Sequence, residues 1–258
     1  MDSEEIERIS KIIERNNRTM DRSISSYILT LRSLMQSKLL RELSALPADR
    51  SLRRQEVIRF LGGLESIILD DEDINEHIES LQDLFDLQSR LSEPYIPAQE
   101  EDEQSRVQKT RLAVFVNSRT QNVRVMAGAY ANEVRQGLAD SIISQRPVSD
   151  FDLTEVSAPR IFSALEGDLK TATASYSRIE SLALGSKYVL YAGPRDARNR
   201  PFCAERVNNI YPTEVVYTWD NGQGIPAYLY CGGYGCRHVL VPTNTPPQKA
   251  QRGQGGKK

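Results

Sequence analysis

The N-terminal region carries apolar side chains at helical spacing. In residues 1–46 they recur every three or four positions, on either side of a polar stretch at 16–19. Ser3 followed by Glu4 and Glu5 suits a capped helix start with acids in the first turn, and Pro47 marks a stop. The pattern therefore predicts a long helix whose apolar positions are Ile6, Ile9, Ile13, Ile24, Ile28, Leu31, Met35 and Leu39.

Two more helices are predicted before residue 93. One contains Gly62 and Gly63, which weaken its middle by about 1 kcal/mol each relative to alanine, and the other runs from Ile74 to Leu91. Residues 94–106, with two prolines and four consecutive acids, then interrupt the pattern. We interpret 1–93 as a helical N-terminal region and 94–106 as an acidic, proline-containing linker at a domain boundary.

Helical spacing resumes in residues 107–185. The apolar positions predict one long helix or two between 107 and 144, and a further helix from about 158 to 184. Pro159 fits the first turn of that last helix, and Gly185 fits its C-terminal cap. This segment is therefore expected to be a long-helix region.

The spacing changes after residue 186. The runs 187–192, 227–230 and 238–241 are typical of strands, 212–216 favours a short helix, and 220–224 is a turn signal. We predict a small α+β module at 186–244 and a flexible basic tail at 245–258. The expected fold class is thus mainly α: a helical N-terminal region and long helices, followed by a small α+β C-terminal module that bears cysteine and histidine.

Composition and charge narrow the functional classes. No apolar run approaches the roughly 18–20 residues of a membrane span, and the acidic start Met1, Asp2, Ser3, Glu4 is unlike a secretory signal. We therefore expect a protein made and kept in a cytoplasm, without a membrane partner. Residues 1–105 carry 23 acidic and 13 basic side chains, whereas the remainder carries 12 acidic and 20 basic. This asymmetry indicates either two domains with different neighbours or two ordinary solvated surfaces.

All three cysteines lie in the C-terminal module, and an odd number in a cytoplasmic chain argues against a disulfide scaffold. With one histidine they supply four soft or borderline donors, the set that zinc prefers in a tetrahedral structural site. On a strand, ligands at 236 and 238 share one face. Free thiols and a conditional disulfide remain open beside the zinc interpretation. The candidate zinc ligands are Cys203, Cys231, Cys236 and His238.

An acid and several arginines accompany the cysteines. Asp196, Arg198 and Arg200 precede Cys203, and Arg237 lies between Cys236 and His238. A salt-bridged turn explains Asp196 and the arginines structurally, whereas a catalytic acid or a phosphate clamp would explain them functionally. We favour the structural interpretation, because no second acid or histidine follows Asp196 at a fixed short spacing.

These residues resemble the C-terminal module of the phage Mu protein F-like, or phage head morphogenesis, family. The first half of that pattern matches at Asp196, Arg198, Asn199, Arg200 and Cys203, with Asn199 where threonine is usual. The second half matches at Cys236, Arg237 and His238. The preceding helix that leads into a strand is also similar, so the resemblance covers about 85 residues.

The resemblance implies a structural minor head protein of a tailed bacteriophage, located in the virion and assembled in the bacterial cytoplasm. Its implied partners are the portal protein, the capsid protein and other copies within the virion, and its implied role is to assist head assembly and DNA packaging or delivery. The basic C-terminal half, through Lys249, Arg252, Lys257 and Lys258, is a candidate contact for packaged DNA or an acidic portal surface.

Three alternatives remain open at the level of sequence. One is a head-to-tail adaptor of the phage neck, built around the long helices, and another is a plain helical scaffold whose cysteines are incidental. The third is a metal-dependent nuclease, which needs a general-base histidine beside its metal ligands. His238 is the only histidine in the C-terminal half, and no nucleotide-binding glycine motif is present, so an enzyme is not expected.

Overall fold

The computed structural model describes residues 1–46, 50–96, 103–144 and 159–247. Its helices are α1 (Ser3–Ser44), α2 (Arg50–Leu69), α3 (Glu72–Glu79), α4 (Leu81–Ser92), α5 (Glu103–Ile143), α6 (Pro159–Ala183), α7 (Pro201–Arg206), α8 (Thr213–Val216) and α9 (Ala227–Tyr230). Its strands are β1 (Tyr188–Ala192), β2 (Asn209–Pro212) and β3 (Val239–Thr243). The predicted fold class, mainly α with a small α+β C-terminal module, is confirmed.

The long helices follow the predicted apolar spacing, with one difference. The stretch predicted as a single helix from Ile74 to Leu91 is two helices, because α3 ends at the cap residue Ser80 and α4 begins one residue later. Asp71 caps α3 by accepting a hydrogen bond from the Ile74 amide. Among the described residues, no helix is both long and apolar enough to cross a membrane.

The three strands form one antiparallel sheet in the order β2-β1-β3. Tyr188 of β1 pairs with Pro212 on one side and with Thr243 on the other. Successive side chains alternate between the two faces of the sheet, as strand geometry requires. Each face is covered by its own apolar cluster, so the sheet lies between two small cores.

One strand was predicted in the wrong place. Residues 227–230 form the short helix α9, in which the Tyr230 amide donates to Pro226 O over 3.0 Å. Pro226 is the N-cap residue of that helix and has no backbone N–H, which is tolerated at the start of a helix but not in the interior of a strand. The third strand is instead β2, whose terminal Pro212 is tolerated because β2 lies at the sheet edge.

Two compact units organise the described residues. The first comprises those of Met1–Thr19, Gln88–Thr110 and Thr173–Lys258, and the second comprises those of Met20–Leu87 and Arg111–Ala172. Both units draw on separate stretches of the chain, whereas the sequence suggested consecutive domains at 1–93, 107–185 and 186–244. The apolar spacing of a helix predicts which of its faces is buried, but it does not predict which other element packs against each part of that face.

The first unit contains the sheet and the N-terminal turns of α1. On one face of the sheet Ile9 and Ile13 pack with Leu190 of β1 and Val239 of β3. Tyr95 and Ile96 belong to the same cluster, so the segment predicted as a linker at 94–106 begins inside this core. The remainder of that segment as far as residue 102 lies outside the described residues, and α5 starts at Glu103.

The second unit is helical. Its apolar core contains Ile24, Leu31, Leu64 and Ile78, all of them fully or almost fully buried. His77 is half-buried there: its ring stacks on Tyr27 with 4.4 Å between ring centroids. The helices of this unit follow the apolar spacing seen in the sequence. The cysteines and His238, the candidate metal ligands, lie in the first unit.

Candidate metal centre

The second face of the sheet buries the cysteines. Cys203 is on α7, Cys231 follows α9, and Cys236 and His238 lie just before β3. All four are nearly inaccessible to solvent, in a cluster that also contains Tyr191 and Leu240. The cysteines are free thiols. Three separate stretches of sequence therefore converge on one buried point.

Three of the four predicted ligands form a compact group. The ligand atoms of Cys203, Cys236 and His238 all lie within 4.8 Å of one another, and Cys231 is not a member of this group. The Sγ atoms of Cys203 and Cys236 are 3.7 Å apart, and Cys236 Sγ is 3.5 Å from His238 Nδ1. This cluster can therefore hold a metal ion.

These distances fit a tetrahedral zinc site. Zinc–sulfur bonds of about 2.3 Å and zinc–nitrogen bonds of about 2.0–2.1 Å place two sulfur ligands about 3.8 Å apart and a sulfur and a nitrogen about 3.6 Å apart. The measured 3.7 Å and 3.5 Å match both values. Two thiolates and an imidazole are also donors that suit zinc, whereas calcium and magnesium prefer oxygen ligands.

His238 has the orientation that a metal ligand requires. Its Nε2 lies 3.0 Å from the carbonyl oxygen of Pro194, which can only accept a hydrogen bond, so Nε2 carries the proton in the neutral ring. Nδ1 then keeps its lone pair and faces Cys236. The ring also stacks on Tyr191 with 5.1 Å between centroids. Such an outer hydrogen bond is typical of metal-ligating histidines.

Cys231 adjoins this group of three. Its thiol hydrogen-bonds to Cys236, and burial raises its pKa well above the usual thiol value. The residue has a φ of 47°, which is rare outside glycine. The side-chain amide of Asn221 donates to the Cys231 carbonyl over 3.0 Å and fixes the chain there.

The hydrogen bonds among the three thiol groups shift the pKa values of the cysteines in different directions. Cys236 accepts from Cys203 and from Cys231, and these bonds hold its pKa well below the usual thiol value. The pKa of Cys203 is raised, first through the same bond and then by burial. The backbone amide of Gly232 lies 3.4 Å from Cys236 Sγ and also favours the charged form. Among the three cysteines, Cys236 is therefore the one whose pKa is lowered.

Glycine at 232 keeps the site open for sulfur. A Cβ atom on Gly232 would lie 2.2 Å from Cys203 Sγ and 3.6 Å from Cys236 Sγ. Gly193 has a similar role beside the imidazole, since its Cβ would lie 2.8 Å from His238 Cδ2. The glycine-rich loop at 232–235 was expected to let the chain turn, and Gly232 also removes a clash at the candidate metal centre.

The predicted Asp/Arg motif joins the segment at 196–200 to the segment at 232–237. Arg237 donates to both carboxylate oxygens of Asp196 over 2.9 Å and 2.7 Å. These bonds hold the pKa of Asp196 well below its usual range. Arg200 donates to the carbonyls of Gly232 and Tyr234, and Arg198 donates its amide to Asp196 over 3.0 Å. Only the contact of Arg198 with Asp196 is local, as a turn requires; the ion pair of Asp196 with Arg237 joins residues 41 positions apart.

Arg178 is a site residue that the sequence interpretation missed. It is 1% exposed and donates to the carbonyls of Leu229, Cys236 and His238 over 2.6–3.1 Å. Ser175 and Ser181, three residues away on either side of α6, also donate to carbonyls of the module. The signal in the sequence was this polar row at three-residue spacing on a helix that was predicted only from its apolar positions.

The remaining predicted contact residues, Lys249, Arg252, Lys257 and Lys258, lie outside the described residues. Comparison with protein family models, curated proteins and solved structures returns no match. The fold and the site thus define a mainly helical protein with a small sheet and a buried cysteine–histidine cluster able to hold a metal.

Proposed function

We propose that this chain is a structural minor head protein of a tailed bacteriophage, associated with the portal and the capsid interior, where it assists head assembly and DNA packaging or delivery. The proposal starts from the resemblance of its two motif halves to the phage head morphogenesis family. It is supported by a contact between those halves that sequence spacing alone does not require.

The single observation that carries the proposal is how the motif residues are used. Asp196 binds Arg237, Arg200 binds two carbonyls across the module, and His238 binds Pro194 O. Residues of an active site keep hydrogen-bonding capacity for a substrate. Here each of these side chains joins one segment of the module to another, which favours a structural role over the nuclease alternative.

The finer part of the proposal is a structural zinc ion held by Cys203, Cys236 and His238. Zinc supplies strong directional bonds that join α7 to the segment before β3. A module with only three short strands has little apolar core of its own, and metal binding in such modules adds directly to folding stability. Its distances, donor types and histidine orientation support this assignment.

The location is tested by quantitative mass spectrometry of purified mature particles, with this chain scaled against the portal protein. A copy number at or below that of the portal is expected, and a matching ring count would favour the neck adaptor instead. Absence from particles would contradict both structural roles and would direct attention to a magnesium-dependent nicking assay.

The zinc site is tested by measuring the metal content of the purified protein and of two variants. One zinc per chain is expected, with loss on His238→Ala and retention on His77→Ala, since His77 stacks on Tyr27 far from the cysteines along the chain. Chelation should lower the melting temperature of the unaltered protein. If the purified protein contains no zinc and its melting temperature is the same with and without chelator, the zinc site is refuted.

The contact with DNA or portal is assigned to Lys249, Arg252, Lys257 and Lys258. If these cations bind phosphates or an acidic surface, affinity must fall as salt rises. Binding of the protein to DNA and to portal across a salt series, with a variant in which the four residues are replaced by glutamine, measures this. Salt-independent binding, or none, would end this part of the proposal.

A further inference from the structure

Arg178 places a positive charge inside the module, and no carboxylate of the described residues forms a salt bridge with it. Its guanidinium is enclosed by protein, and three backbone carbonyls accept its hydrogen bonds. Two of those carbonyls belong to Cys236 and His238, so the guanidinium lies against the backbone of the cysteine–histidine cluster.

A buried charge without compensation is costly, because removing an ion from water costs several kcal/mol after relaxation. Carbonyl dipoles reduce that cost but carry no net charge. An arginine also cannot shed its proton in a protein. The buried region around Arg178 must therefore contain one net negative charge for the module to be neutral.

This requirement distinguishes between two ligand sets for zinc. A zinc ion with the thiolates of Cys203 and Cys236 and a neutral His238 has no net charge, and Arg178 would remain uncompensated. If Cys231 also binds as a thiolate, the centre has one net negative charge, equal and opposite to that of Arg178. The second set makes the whole buried region neutral.

Cys231 lies next to the compact group of three, although it is not a member of that group. Its side chain is completely buried, and its thiol is already bonded to Cys236. Gly232 next to it adjoins Cys203 Sγ and Cys236 Sγ. Arg178 holds both flanks of this loop, since it donates to Leu229 O before Cys231 and to Cys236 O after it.

We infer that the centre is a closed site with three thiolates and one imidazole, in which Cys231 is the fourth ligand and Arg178 is the buried counter-charge and positioning residue. The inference rests on the proposed zinc site. A closed site leaves no position for a water molecule, and this is the arrangement of structural rather than hydrolytic zinc. Arg178 then links α6 to the metal centre in two ways: it donates hydrogen bonds to the carbonyls around the centre, and its positive charge balances the negative charge of the centre.

The ligand count is tested on the unaltered, zinc-loaded protein by X-ray absorption spectroscopy at the zinc edge. Three sulfur neighbours and one nitrogen are expected. Two sulfurs with two lighter atoms would overturn the inference and leave the zinc site standing. A protein that binds no zinc would instead overturn the proposed zinc site itself, so the two failures are distinguishable.

The role of Arg178 is tested by comparing Arg178→Met with Arg178→Lys. Loss of the charge should weaken zinc binding by about 10–100-fold, as for other residues that support metal ligands, and lysine should recover part of that loss because it restores the charge. Arg160→Met, on the exposed first turn of α6, is the matched control and should leave the affinity unchanged.

If Arg178→Met binds zinc with unchanged affinity, the inference that Arg178 is the counter-charge of the zinc centre is overturned. If that variant does not fold, Cys231→Ser carries the test, because it removes one sulfur and leaves Arg178 in place. Its sulfur count should fall from three to two with weaker zinc binding. An unchanged count or affinity would show that Cys231 is not a ligand.

Discussion

Gly232 shows how strongly a single residue is constrained in this module. The hydrogen at its Cα points toward Cys203 Sγ, where a Cβ atom would lie at 2.2 Å. Cys203 is fixed by its contacts with Cys236 and Tyr191, so it cannot easily move away. The requirement for glycine at this position therefore comes from the sulfur cluster and not from a turn of the backbone.

We expect Gly232→Ala to destabilise the first unit by about 1–3 kcal/mol, the usual cost of overpacking a core. Gly167→Ala is the control: nothing lies within 4 Å of its Cβ position, and alanine in a helix should stabilise by up to about 1 kcal/mol. Urea unfolding followed by the fluorescence of Trp219, the only tryptophan, measures both. Equal stability of the two variants would contradict the clash.

The residue scale also shows what the sequence could predict about the site. The cysteines and His238 were identified because their residue types share one chemistry and their positions cluster. Arg178 was not, because an arginine in a helix is usually a solvated surface residue. Its burial depends on carbonyl groups more than fifty positions later in the chain. No local sequence pattern predicts such a contact.

At the scale of elements, α4 and α6 meet through a buried carboxylate. Ser89 of α4 donates to Glu180 Oε1 over 2.6 Å, while Glu180 Oε2 is buried and has no hydrogen-bond partner among the described residues. Burial raises the pKa of Glu180 to about 7. The contact between the two helices is therefore more favourable with the carboxyl group protonated.

This carboxyl group makes stability depend on pH in a stated direction. Because its pKa is higher in the folded protein than in the unfolded chain, stability should fall as pH rises from about 4.5 to about 7, by at most about 3 kcal/mol. Glu180→Gln should remove most of that decline, and the exposed Glu93→Gln should not. Urea unfolding at several pH values in this range measures the slopes.

The elements themselves were predictable in proportion to their length. Helices with many turns repeat their apolar face often enough to be recognised, as α1, α5 and α6 were. β2 and α9 have four residues each, which is too short for either period to be distinguished. Tyr228 and Tyr230 favour a strand by composition, yet the contacts of Leu229 O with Ser175 and Arg178 accompany the helical turn.

At the scale of the whole molecule, the first unit is completed by residues from opposite ends of the described chain. Met1–Thr19 supplies Ile9 and Ile13 to the core beneath the sheet, and the Asn17 side chain donates to Arg237 O over 2.9 Å. The sequence predicted the helix but not this partner, because an apolar face is equally compatible with any apolar surface.

The beginning of α1 should therefore stabilise the C-terminal module. Ile13→Ala removes a side chain that is 1% exposed and should cost about 2–5 kcal/mol. Leu29→Ala, on the same helix but 65% exposed, should change stability by less than about 0.5 kcal/mol. Trp219 fluorescence during urea unfolding reports the module directly, and equal effects of the two substitutions would rule out this packing.

The presence of Ile13 and Val239 in one apolar cluster also sets an order of events during protein synthesis. At roughly 5–20 residues per second, about 10–45 s pass between the emergence of the two positions from the ribosome. Through that interval the apolar stripe at the start of α1 has no sheet to cover it. The first unit must therefore finish folding only after β3 (Val239–Thr243) has been synthesised, and a chaperone that shields this stripe would raise the yield of the protein.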